Sequence, residues 1–283
     1  MTKRLAILLL ITPILSALVI AMTACSVSSS QPPANSAVSA QAPPLDVDAA
    51  PDSCVPVPGS IPVRLVVFQD KSGSANETRT QQLTDDDLVR LVSIVCRGGG
   101  LLALGLIADD SNRPLVRLTL SAPPSSPSIE PLPSNPLEAA DVEERNQNRR
   151  IQSQRALKAW RDAGANQIGR FIEQASALLA HAADYRRTDV VQALVRASLA
   201  LGEPMTGVAP HCWIFMSSDG EDTAHQKGLP TKLPGRLLLV NGAGRTGAIL
   251  PAFDPMLFEA VSAAIDYVEH AESAPATTSR RPW

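Results

Sequence analysis

Residues 63–74 read Val63-Arg64-Leu65-Val66-Val67-Phe68-Gln69-Asp70-Lys71-Ser72-Gly73-Ser74, and the reading of this stretch decides the fold. An apolar run of strand length, rich in β-branched residues, breaks at Asp70 into a polar loop containing glycine. Downstream, Thr84 is placed to cap a helix. Asp85, Asp86 and Asp87 fill its first turn, where the helix dipole favours carboxylates. Leu88, Leu91, Val92 and Val95 recur at helical spacing, and Gly98-Gly99-Gly100 ends the run. Leu101–Ile107 reads as a second strand, residues 108–114 as a turn, and Leu115–Leu120 as a third strand that closes a hairpin.

Residues 121–136 are rich in Pro and Ser and read as a surface loop. Residues 137–185 contain no proline and two glycines, Gly164 and Gly169, the first of which is expected to divide two helices. The first part is strongly charged (Glu143, Glu144, Arg145, Arg149, Arg150). The later part places Leu157, Trp160, Ile168, Phe171, Ile172, Ala175, Leu178 and Leu179 at helical spacing. This predicts a helix packed on the sheet with a solvated, charged extension. A further helix is expected from Thr188, with strands at Cys212–Met216 and Arg236–Val240. Asp254-Pro255 reads as an N-cap with proline at the first helical position. The last helix then runs to about His270, with Leu257, Phe258, Val261, Ile265 and Val268 inward, before a polar tail over 271–283. Strands alternating with helices argue for an α/β sandwich with a mainly parallel sheet, one strand being antiparallel in the hairpin.

The N-terminus reads as an address. Lys3 and Arg4 precede an apolar run from Leu5 to Ala24, followed by Cys25. Met22-Thr23-Ala24-Cys25 resembles the lipobox of bacterial lipoproteins. The resemblance implies removal of residues 1–24 as a signal peptide, lipidation of Cys25, and an exported chain anchored to a bacterial cell membrane or outer membrane. The competing reading is an uncleaved 20-residue transmembrane anchor. Residues 25–61, rich in Ser, Pro and Ala, form a tether to a head over 62–270. Beyond Cys25, Cys54, Cys96 and Cys212 allow either one disulfide plus a thiol or three buried thiols. A net charge of −3 supplies no basic field for nucleic acid, and 4% aromatic residues supply no base- or sugar-stacking platform. Four cysteines in 283 residues are no disulfide scaffold, and a single long apolar run excludes a polytopic membrane protein.

Three segments carry chemistry: Asp70-Lys71-Ser72-Gly73-Ser74 after the first strand, Thr188 at a helix entrance, and Ser217-Ser218-Asp219-Gly220-Glu221-Asp222-Thr223 after the fourth strand. Ligands of open α/β sheets bind at the carboxyl ends of strands where the strand order reverses, and these loops flank that point when the first and fourth strands are neighbours. Asp70 and Asp219 would supply negative charge, and Ser72, Ser74 and Thr188 neutral oxygen. Such a set suits Mg²⁺, with Mn²⁺ or Ca²⁺ as alternatives. Gly73 is expected to let the loop fold tightly around the ion. Asp189, Glu221 and Asp222 are read as solvated neighbours.

The pattern Asp70-x-Ser72-x-Ser74, then Thr188, then Asp219, resembles the metal-ion-dependent adhesion site of von Willebrand factor type A domains, over about residues 62–270. The segment before Thr188 is longer than is usual there. The resemblance implies a Rossmann-like three-layer sandwich with helices on both faces. It also implies a Mg²⁺ whose open position is completed by an acidic residue of a protein partner, with no small-molecule substrate and no enzyme activity. The alternatives are a scaffold of the same fold without a functional metal, and a metal-assisted hydrolase. The hydrolase has little support: His181, His211, His225 and His270 are scattered, and no Gly-x-Ser-x-Gly elbow or phosphate loop is present.

Overall fold

In the computed structural model, the described residues are 54–273, apart from 58, 78–79, 182–184, 206, 225–227 and 242–246. The expected signal segment, Cys25, most of the expected tether, His225 and the residues from 274 lie outside them. The chain runs β1 (Val63–Asp70), α1 (Gly73–Glu77), α2 (Asp85–Gly98), β2 (Gly100–Ile107), β3 (Val116–Leu120), α3 (Pro136–Leu179), α4 (Val190–Leu201), β4 (His211–Ser217), β5 (Arg236–Val240), β6 (Met256–Phe258) and α5 (Val261–Ser273). One six-stranded sheet has the order β3-β2-β1-β4-β5-β6. All neighbours are parallel except β2 and β3, which pair as the expected antiparallel hairpin.

Every residue of β1 is buried, as a central strand covered on both faces requires. Its alternation still sorts side chains. Val63, Leu65 and Val67 join the core under α2, the C-terminal part of α3 and α5. Val66 and Phe68 join the core under α4. The molecule is thus a three-layer α/β sandwich. Arg64 is the exception in β1: buried, it donates from Nη1 to the carbonyls of Leu201 (2.7 Å) and Glu203 (2.6 Å). The guanidinium satisfies the C-terminal end of α4, where a cation also meets the negative end of the helix dipole.

The capping of α2 is as expected. Thr84 Oγ1 accepts from Asp87 N (3.2 Å), and Asp87 Oδ2 accepts from Thr84 N (2.9 Å). Past the helix, Gly99 and Gly100 have φ of 77° and 130°, and a Cβ on Gly100 would sit 1.9 Å from the Val63 carbonyl oxygen. Only glycine lets the chain turn from α2 directly into β2 against β1. Cys54 and Cys96 form a disulfide, with Cα atoms 5.2 Å apart, that ties the segment before β1 to α2. Cys212 is a free, half-buried thiol.

Several expectations are corrected. Gly164 does not divide the long helix. α3 runs unbroken for 44 residues and stops at Leu179 rather than near Tyr185. Upstream of Ile168 its buried residues are Val142, Asn146 and Gly164, so most of that stretch is a solvated extension. It stays attached near its start because Asn146 brackets residue 130, donating to the Glu130 carbonyl and accepting from its N–H, both at 2.9 Å. Asp254 does not cap the last helix. It takes a left-handed conformation (φ 48°), and Met256–Phe258 then pair with β5 as the edge strand β6. The open hydrogen-bonding edge of β5 recruits this segment, leaving Leu257 exposed rather than inward, and α5 starts only at Val261. Among the described residues no helix is long and apolar enough to cross a membrane.

Candidate metal centre

Because β1 and β4 are hydrogen-bonded neighbours, with Gln69 opposite Ser217, the loops that leave them are side by side at the reversal of strand order. β1 delivers Asp70 as its last residue, and β4 delivers Ser218 and Asp219 just past its end. Asp70, Ser72, Thr188 and Asp219 are all buried, and Ser74 is half-buried.

Asp70 Oδ1 accepts from the Ser72 N–H (2.8 Å), and Oδ2 accepts from Ser218 Oγ (2.6 Å). Ser218 Oγ in turn accepts from Gly220 N (2.9 Å). The carboxylate is therefore clamped between the two loops. Ser72 Oγ lies 3.1 Å from Ser74 Oγ, so the two hydroxyls share one small region above the single helical turn α1. Asp219 Oδ1 accepts from Glu221 N (3.0 Å). Its Oδ2 is sealed from solvent with no hydrogen-bond partner. No salt bridge neutralises either carboxylate among the described residues. Burial pushes the Asp70 carboxyl above its ordinary range; the Ser218 and Ser72 hydrogen bonds oppose this, and the charge of Asp219 reinforces it.

Thr188 arrives from a different direction. Its N–H donates to Thr223 Oγ1 (2.8 Å), and its carbonyl accepts from Thr223 N (2.9 Å) and Ala224 N (3.2 Å). It is not the N-cap of α4. Asp189 fills that place, its Oδ1 accepting from Gln192 N (3.0 Å). Asp189 is therefore buried rather than solvated, and desolvation pushes its carboxyl up. Asp222 likewise serves the helix end, accepting from Val190 N (2.9 Å), whereas Glu221 is exposed as expected.

Ser72, Gly73, Ser74, Tyr185, Arg186, Thr188 and Thr223 line a cleft of about 430 Å³. Gly73 is not there for shape. It has no positive φ, and a Cβ would meet nothing nearer than the Tyr185 carbonyl oxygen at 4.0 Å. Its N–H donates to that carbonyl (3.1 Å), joining the loop after β1 to the segment before α4. Three participants escaped the sequence reading. Ser218 was visible in the Ser-Ser-Asp string, but its bond to Asp70 depends on strand adjacency. Tyr185 and Arg186 carry no local signal: Tyr185 reads as the end of the helical region and Arg186 as part of the link to the next helix.

No protein-family model, curated protein or solved structure matches the chain. Among the described residues no three His, Cys, Asp or Glu side chains gather to hold a metal. A cation here would rest on two carboxylates and neutral hydroxyls. That set fits a hard, oxygen-preferring divalent ion and not a soft one. The unpartnered Oδ2 of Asp219 is the feature that a cation would satisfy.

Proposed function

We propose that this chain is a metal-dependent binding protein whose head is a von Willebrand factor type A domain, holding Mg²⁺ (or Mn²⁺ or Ca²⁺) with Asp70, Ser72, Ser74, Thr188 and Asp219. The observation that carries the reading is the sealed, unpartnered Oδ2 of Asp219 beside a second uncompensated carboxylate, Asp70. Leaving a buried carboxylate oxygen unsatisfied is costly, and a divalent cation repays it. The ion supplies a Lewis-acidic position, and its coordination shell is completed by an acidic residue of a protein partner reaching through the cleft. Lipidation of Cys25 would hold the exported head at a membrane surface. The Cys54–Cys96 disulfide supports export, because such bonds persist in oxidising compartments.

The test is calorimetric titration of Mg²⁺ and Mn²⁺ into the purified chain and into the Asp70→Ala, Ser72→Ala double variant. One saturable site that disappears in the variant is the expected result. Absence of binding to the unaltered chain overturns the metal reading and leaves a scaffold of the same fold.

A further inference from the structure

Of the seven residues that line the cleft, one is charged, and it is a cation, Arg186. Among the described residues no carboxylate pairs with its guanidinium. The wall that carries it is built rather than loose. Ser72 and Tyr185 form a parallel bridge, and Gly73 N donates to the Tyr185 carbonyl. Arg113 lies over the Tyr185 ring at 5.5 Å from the centroid and donates to the Tyr185 hydroxyl at 3.2 Å. A second guanidinium is thereby fixed on the residue that precedes Arg186 in the chain. A cation site gains nothing from an arginine in its own cleft, since the two charges repel. The arrangement becomes favourable when one ligand brings negative charge to both.

We propose that Arg186, carried on the wall that Arg113 braces through Tyr185, is an anion subsite of the cleft, and that the ligand segment of the partner protein carries two adjacent acidic side chains. This rests on the metal reading above. One carboxylate completes the ion held by the Asp70, Ser72 and Ser74 loop, and the next is gripped by the planar fork of Arg186. Specificity then comes from the pair, because a segment with one carboxylate leaves the arginine without a partner.

The experiment titrates the full chain in detergent, with saturating Mg²⁺, with two blocked peptides, acetyl-Gly-Asp-Gly-amide and acetyl-Gly-Asp-Glu-Gly-amide. The unaltered chain is expected to bind the two-acid peptide about tenfold more tightly, with both interactions lost in EDTA. Arg186→Gln should reduce that preference to about twofold or less, while Arg186→Lys, which keeps the charge without the fork, should retain an intermediate preference. Mg²⁺ titrated alone into Arg186→Gln should bind at least as tightly as to the unaltered chain, which separates the subsite from the metal site. Equal affinity for the two peptides, or a preference that survives Arg186→Gln, overturns the subsite while leaving the metal reading intact. Failure of Mg²⁺ to bind the unaltered chain overturns both, and peptide binding that persists in EDTA overturns the bridging role of the ion.

Discussion

Asp219 spends its two oxygens differently. Oδ1 is held by the Glu221 N–H, and Oδ2 is buried with no partner. An unpartnered buried carboxylate oxygen weakens the fold, and under the proposed metal reading a cation would be its partner. Asp219→Asn removes the charge while keeping the shape. The metal-free variant is expected to unfold about 1 kcal/mol less readily than the parent, since a buried neutral amide costs less than an unsatisfied carboxylate. The parent should gain about 2.7 kcal/mol at a Mg²⁺ concentration a hundredfold above its Kd, and the variant nothing. Thermal unfolding of both proteins with Mg²⁺ and with EDTA reads the two effects together. A variant that is less stable in EDTA and equally stabilised by Mg²⁺ would contradict this account. Asp70 is the contrasting case: its oxygens are both used, by Ser72 and Ser218, so its removal damages the loop as well as the charge.

At the scale of elements, the extension of α3 is held near its start by the Pro-rich segment before it. Asn146 makes two hydrogen bonds to the backbone of Glu130, and Arg149 and Arg145 pair with the Glu130 carboxylate. Asn146→Ala leaves that backbone amide and carbonyl unpaired. We expect cleavage within residues 121–135 to quicken about tenfold in limited proteolysis, corresponding to roughly 1.4 kcal/mol of local opening. The midpoint of global unfolding should move little, because the sheet core lies elsewhere. The ionic part of this clamp depends on pH. Arg149 first, then Arg145, holds the Glu130 carboxyl below its ordinary range. A depressed acid contributes stability above its unfolded value, near 4.3, and loses it as pH falls through the lower folded value. The amide protection factor of Glu130, whose N–H is bonded to Asn146, should therefore be constant from pH 7 to 5 and decline below about 4; constant protection down to pH 2 would show that Asn146 alone holds the segment. The edge strand β6 teaches the opposite lesson about local signals. Asp254-Pro255 has the chemistry of a helix start, yet an unpaired β5 edge takes the following three residues.

For the whole molecule, the Cys54–Cys96 bond closes a span of 42 residues that includes β1 and the loop bearing Asp70, Ser72 and Ser74. In the chain-entropy description such a closure is worth up to about 4 kcal/mol, so urea unfolding with and without reductant should differ by about 2–4 kcal/mol. Cys212→Ser should leave that difference in place, since Cys212 takes no part in the bond. Loss of the reductant effect in Cys212→Ser would mean that the pairing is otherwise.

By itself the sequence determined the α/β class, the positions of β1 through β5 and the capped helix after Thr84, and it singled out the five residues proposed for the candidate centre. These are local matters: alternation, capping chemistry, and polar residues placed at strand ends. Tertiary structure alone decided the rest. That β1 lies beside β4 brings Asp219 toward Asp70, and no local pattern encodes strand order. Which cysteines pair depends on a distance across 42 residues. Asp189 and Asp222 looked like solvated charges, but both serve the N-terminal end of α4. Tyr185 and Arg186 enter the cleft through a bridge to Ser72, a contact spanning more than a hundred residues. Sequence fixes what each segment can bond to; burial and adjacency select the partner, because only the packed chain removes water as the competing one.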